Sequence, residues 1–149
     1  MKSIVLLSML CSLIWSSVDA QILKPVKWSY AAKKTSATEA TIFIKATMEK
    51  GWHIYSLDTP EGGPVGTSIT FTPDRSYQLT GSVQQPKPAS KLEKQFGVEV
   101  KYFENTVIFQ QKIKLQETQA SAKGEISFMV CSDQQCLPPS MIAFNVDIK

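Results

Sequence analysis

The sequence predicts an all-β chain folded as an antiparallel β-sandwich, and three observations carry that prediction. Segments of the chain alternate apolar and polar residues with the period of two that half-buried strands require. Turn-forming residues break them at short intervals. No stretch sustains the 3.6-residue apolar period of a helix, and the best candidate for one, Ser90–Phe96, is only about two turns long. Short strands without helices bury their apolar faces by packing sheet on sheet.

The first element is not part of the sandwich. Residues 1–20, MKSIVLLSMLCSLIWSSVDA, place Lys2 before an apolar run from Ile4 to Trp15 and end on Val18-Asp19-Ala20. That order predicts a secretory signal peptide cleaved after about Ala20. The run is shorter than the roughly 18–20 residues of a spanning helix. Cys11 lacks the small residue that lipoprotein processing prefers directly before the cysteine, so it is expected to leave with the signal.

The mature chain, residues 21–149, is expected to be one exported domain. Hydrophobic residues make up 43% of the sequence, with seven Phe, three Trp and four Tyr, enough for a core that needs no staple. Sixteen basic and 13 acidic residues leave a net charge of +3, with the lysines scattered. A nucleic-acid partner has no footprint in such a distribution.

Strands are expected at Val26–Tyr30, at the β-branched segment Ala40–Thr47, and at Thr67–Thr72, Val98–Phe103, Thr106–Leu115, Glu125–Cys131 and Met141–Ile148. Two segments read as loops. Leu57–Gly66 holds three glycines and two prolines, and Gln84–Gly97 is polar until Phe96. Loops this long in a compact domain are commonly functional.

Chemistry concentrates in FMVCSDQQCLPPS, residues 128–140. Glu125–Cys131 reads as a strand, Ser132–Gln135 as a turn and Cys136 as the start of the return, so the two cysteines face each other at a separation a disulfide accepts. Closing so small a loop stabilises by only roughly 2 kcal/mol. The turn is expected to leave both sulfurs near the surface, and Pro138-Pro139, with no N–H for a ladder, to interrupt the return strand. An exposed disulfide of little structural value is the kind that exchanges; a passive hairpin staple in a secreted β-sandwich binding module fits the same spacing. Zinc would need two ligands beyond the cysteines, whereas His53 is the only histidine, and Met129 and Met141 do not form a copper-binding cluster.

The cysteine hairpin with its Leu137-Pro138-Pro139 tail, preceded by Phe128-Met129-Val130, resembles the N-terminal periplasmic domain of the thiol:disulfide interchange protein DsbD. Upstream, Lys50-Gly51-Trp52-His53-Ile54-Tyr55 is similar to that family's glycine–aromatic–aliphatic–tyrosine strand, and Gln95-Phe96-Gly97 falls at its aromatic-glycine loop. Order and spacing agree from about Trp28 to Ile148. The resemblance implies an immunoglobulin-like sandwich in the periplasm whose redox pair takes electrons from a thioredoxin-like donor, itself supplied by a transmembrane DsbD-type reductase. The pair would pass them to oxidised periplasmic proteins, including those of cytochrome c biogenesis. It also implies the roles: Cys136 forms the mixed disulfide, Cys131 resolves it, Phe96 and Gly97 belong to a cap loop, and Tyr55 lines the site. Thiol exchange of this kind uses no cofactor or metal.

Three departures stand out. Four residues separate the cysteines where the best-known members have five, and only Glu93 matches the acidic residues expected before the cap aromatic. The sequence ends at Lys149, so a complete gene product would need its donor on a separate protein. Trp28 and Trp52 read as core, His53 as a half-exposed strand residue, and Asp133 as a turn former whose carboxylate would raise a nearby thiol pKa.

Overall fold

The structure is a computed structural model that describes residues 22–149, so the predicted signal peptide and Cys11 lie outside the described residues. Every regular element among the described residues is a strand. They are β1 (Val26–Lys34), β2 (Glu39–Met48), β3 (His53–Tyr55), β4 (Ser68–Phe71), β5 (Tyr77–Gln84), β6 (Ala89–Glu93), β7 (Val98–Glu104), β8 (Thr106–Leu115), β9 (Ala120–Phe128), β10 (Val130–Cys131) and β11 (Ser140–Ile148). They form three antiparallel sheets, ordered β1-β2-β8-β5, β11-β9-β4 and β10-β3-β7-β6.

The core sits where the first two sheets face each other. β8 is strictly alternating, with Val107, Phe109, Gln111, Ile113 and Leu115 buried, and β2 contributes Ile42, Ile44 and Ala46. Ile126 of β9 and Phe144, Val146 and Ile148 of β11 are buried against them from the facing sheet. Each large aliphatic or aromatic side chain withdrawn from water in this way stabilises by roughly 1.5–3 kcal/mol. Aromatic pairs cross the interface: Tyr30 stacks on Phe144 with centroids 5.6 Å apart, and Trp28 meets Phe128 edge-on at 5.2 Å.

The third sheet carries the cysteines and is tied to the first by a one-residue corner. Asn105 joins β7 to β8 with a φ of 60°, a left-handed conformation that asparagine tolerates, and its carbonyl accepts the Met48 N–H at 2.8 Å. Phe103 then packs edge-on against Phe109, 5.9 Å between centroids, so the small sheet shares the main core.

The structure corrects three sequence expectations. Glu125–Cys131 is two strands: the chain breaks at Met129, leaving β11 and β4 as partners of β9 while β10 pairs with β3. A period-two pattern continues through such a change of sheet, because the alternation of buried residues is kept. The expected loop Gln84–Gly97 contains β6, paired with β7 along its length. β5 was not expected at all; it is an edge strand with mostly exposed residues, Gly81 at a φ of 70°, and a register shift between Thr80 and Gln84. With nearly all of its residues exposed, β5 has no alternation of buried and exposed positions from which a strand could be read. Leu57–Gly66 is strand-free, as its prolines and glycines require.

Candidate active site

The cysteine hairpin is built locally. Ser132 donates its N–H to the Gln135 carbonyl at 2.7 Å, and Leu137 donates to Val130 at 2.9 Å, so the chain returns on itself within four residues. Cys131 and Cys136 are disulfide-bonded with Cα atoms 4.0 Å apart. After Cys136 the ladder stops, and β11 begins only beyond Pro138-Pro139. The two sulfurs do not share an environment, contrary to the expectation that both would lie near the surface. Cys131 is wholly buried with Tyr55 and Val100, its strand flanked by β3 on one side and by the returning arm on the other, whereas Cys136, on that outer arm, is only partly buried against the cluster.

Beside the disulfide lies a polar cluster. Cys131 pairs in the ladder with His53, which is 1% exposed and not half-exposed as its polar character suggests. Three donors converge on Glu93 Oε2: the Tyr55 hydroxyl at 2.9 Å, His53 Nε2 at 3.1 Å and the Lys91 ammonium at 3.5 Å. With Nε2–H directed at the carboxylate, Nδ1 is the acceptor facing Lys91 Nζ at 3.4 Å. This pattern assigns neutral His53, ionised Glu93 and charged Lys91. Burial pushes the Glu93 carboxyl up, but the hydrogen bonds from Tyr55 and His53 and the charge of Lys91 outweigh it and leave it below its ordinary value. Burial and then Lys91 lower the His53 pKa, against the pull of Glu93. Burial, with the neighbouring carboxylate, raises the Tyr55 phenol, which therefore stays protonated and donates.

Glu93 is also the root of the turn that carries Phe96. Its backbone carbonyl accepts from Phe96 N at 3.1 Å and Gly97 N at 2.8 Å, and Gly97, at a φ of 69°, closes the turn into β7. Phe96 is partly buried. Gln95 Nε2 reaches the Ser132 carbonyl at 3.4 Å, and Lys91 Nζ lies 3.9 Å from the exposed Asp133 carboxylate, so both β6 and its turn touch the cysteine hairpin. The structure thus gathers Cys131, Cys136 and Tyr55 into one cluster and places the Phe96–Gly97 turn beside the same hairpin. Sequence reasoning missed the network of His53, Lys91 and Glu93. A lone histidine two residues before the site tyrosine was the available signal, but its partners sit on a strand taken for loop.

The model of the family "Thiol:disulfide interchange protein DsbD, N-terminal" matches residues 19–148. The chain belongs to this family. None of the curated proteins matches it by sequence. Among solved structures, the N-terminal periplasmic domain of ScsB from Proteus mirabilis is 19% identical, with a TM-score of 0.62 over 83% of this chain and 46% of that one, so the chain spans about half the length of that relative. The N-terminal domain of DsbD from Neisseria meningitidis, in its reduced form, is 13% identical with a TM-score of 0.50 over 78% and 82% of the two chains. The same organism's complex between the DsbD N-terminal and PilB N-terminal domains gives 13% and 0.54 over 84% and 87%.

The fold of this DsbD N-terminal domain is accordingly an immunoglobulin-like β-sandwich. The family is one of thiol–disulfide interchange, and this chain carries one disulfide, Cys131–Cys136, among the described residues.

The polar cluster makes stability depend on pH with a definite sign. His53 has a folded pKa below its ordinary value near 6.5, so the unfolded chain takes up the proton first as pH falls. Stability is therefore expected to be level above neutrality and to fall below about pH 6.5, by at most about 1.4 kcal/mol per pH unit for one proton. Glu93, depressed below 4.5, adds a second loss as pH drops through that value. Urea midpoints between pH 8 and about pH 3 measure both, and His53→Gln is expected to remove the first decline and keep the second.

Proposed function

We propose that this domain is a periplasmic electron carrier that receives a pair of electrons from a thioredoxin-like donor and hands them to oxidised periplasmic proteins through Cys131 and Cys136. The observation that carries the reading is the asymmetry of the disulfide: one sulfur sealed in a cluster with Tyr55 and Val100, the other partly open on a hairpin arm that Pro138-Pro139 keeps out of the ladder. An incoming thiolate reaches Cys136 far more readily than Cys131.

In the first step a donor thiolate attacks Cys136 Sγ. The Cys131–Cys136 bond breaks, Cys131 leaves as a thiolate and takes up a proton, and a mixed disulfide joins Cys136 to the donor. The donor's second thiolate then attacks its own bonded sulfur, releasing Cys136 as a thiolate and leaving the donor oxidised by two electrons. Onward transfer reverses the roles. Cys136 attacks the disulfide of an oxidised protein, and Cys131, deprotonated, attacks Cys136 Sγ to reform the internal bond and release the reduced protein. Phe96 and Gly97 form the cap, a ring that shields the pair from wrong thiols and moves aside when the right partner docks. Tyr55 lines the site. The complex of the Neisseria relative with a PilB domain supports docking of this kind, and we assign the donor's electrons to a transmembrane DsbD-type reductase.

Equilibration of the pair against glutathione is the deciding experiment. A potential more oxidising than about −300 mV is expected of an exchanging pair. A value well below that identifies the disulfide as a passive staple and the domain as a secreted binding module.

A further inference from the structure

β6 is held to the domain in an unusual way. Of its five residues Glu93 alone is buried; Lys91 is half-buried, and Leu92, the one large apolar side chain, is 63% exposed. An edge strand normally anchors itself with an apolar residue, which costs nothing to desolvate. A buried carboxylate costs several kcal/mol unless its partners are well placed, and an apolar replacement is often the more stable choice. A carboxylate here therefore calls for a role other than stability.

Its position supplies one. The Glu93 side chain is fixed from three sides by His53, Tyr55 and Lys91, on β3 and β6, while its own carbonyl holds the N–H groups of Phe96 and Gly97. Whatever fixes Glu93 fixes the turn, and the turn reaches the cysteine hairpin through Gln95 and Ser132. We propose that Glu93, held by His53, Tyr55 and Lys91, is the positioning residue that latches the Phe96 turn against the Cys131–Cys136 hairpin and so sets how readily a thiol reaches Cys136. The inference rests on the exchange reading and adds to it a latch built from polar groups, which release over a shorter displacement than an apolar plug.

The test is the rate at which dithiothreitol reduces the disulfide in wild type, Glu93→Ala, Phe96→Ala and the double variant. Freeing the turn is expected to raise the rate about fivefold or more in each single variant, as a local opening that has lost one charge-assisted anchor does. Since Glu93 acts through the turn, the double variant is expected to react no faster than the faster single. A wild-type rate in folded Glu93→Ala, or a double variant whose acceleration is the product of the two, overturns the latch, because independent effects multiply. Should Glu93→Ala not fold, Lys91→Met and Glu93→Gln carry the same comparison with a rise of about twofold expected, and wild-type rates in both overturn it. Failure of the exchange reading shows separately, as a wild-type disulfide that dithiothreitol reduces and a thioredoxin-type donor does not.

Discussion

Replacing Cys136 by serine is expected to abolish electron transfer, and replacing Cys131 by serine to leave a chain that forms a mixed disulfide but cannot resolve it. The difference follows from burial. Cys131 is sealed from solvent while Cys136 is partly open, so only Cys136 can meet a partner's sulfur in line. Without it, turnover in a coupled reduction assay should drop to background. In Cys131→Ser the remaining Cys136 thiolate attacks the S–S bond of an oxidised partner, and the adduct should accumulate with a single-cysteine partner activated as its mixed disulfide with thionitrobenzoate, which leaves as the thiolate while no second thiol is present to resolve the new bond. Non-reducing electrophoresis and mass measurement show that adduct directly. Both variants should remain folded, because closing this small loop contributes only roughly 2 kcal/mol to a domain with its own core. A domain that stays active in the coupled assay with either cysteine removed does not work by this mechanism.

Strands β2, β8 and β11 were legible in the sequence because both conditions for reading them hold: they alternate buried and exposed residues over most of their length, and turns bound them. The cysteine hairpin was legible for a local reason, since its geometry is closed within residues 130–137. What was not legible depends on which strand lies beside which. Glu93 stands out in the sequence only as an acidic residue before the cap aromatic; its burial and its partners emerge when β6 is paired to β7, and β3 brings His53 and Tyr55 to it. The unequal burial of the two cysteines has the same origin, in the β10–β3 pairing that follows the change of sheet at Met129. Spacing gives the reach of a disulfide but not the cover placed over each half.

Gly124 shows the same dependence on long-range pairing and supports the largest loss of stability expected from a single methyl group. Nothing in Ala122-Lys123-Gly124-Glu125-Ile126 marks the glycine as necessary, and its backbone does not need a positive φ. It pairs with Phe71 of β4 on one side and Phe144 of β11 on the other. A Cβ built there would run into the Thr70 carbonyl and lie 2.6 Å from Cζ of Phe144, itself packed edge-on against Phe71 and stacked on Tyr30. A flexible side chain could yield, but here one obstacle is backbone and the other a ring fixed between two aromatic neighbours. Gly124→Ala must therefore part β4 from β9 or displace the ring that joins the two facing sheets, at a cost of roughly 3 kcal/mol. For a domain of this size that corresponds to a fall in Tm of roughly 10 °C. Calorimetry on the oxidised protein measures it, and a Tm within a degree or two of wild type would mean that β4 gives way freely. Because only Met129 separates β9 from β10, a shift of β9 is expected to reach the strand that carries Cys131. The variant's disulfide should accordingly be reduced faster by dithiothreitol than the wild-type bond, even below its unfolding transition.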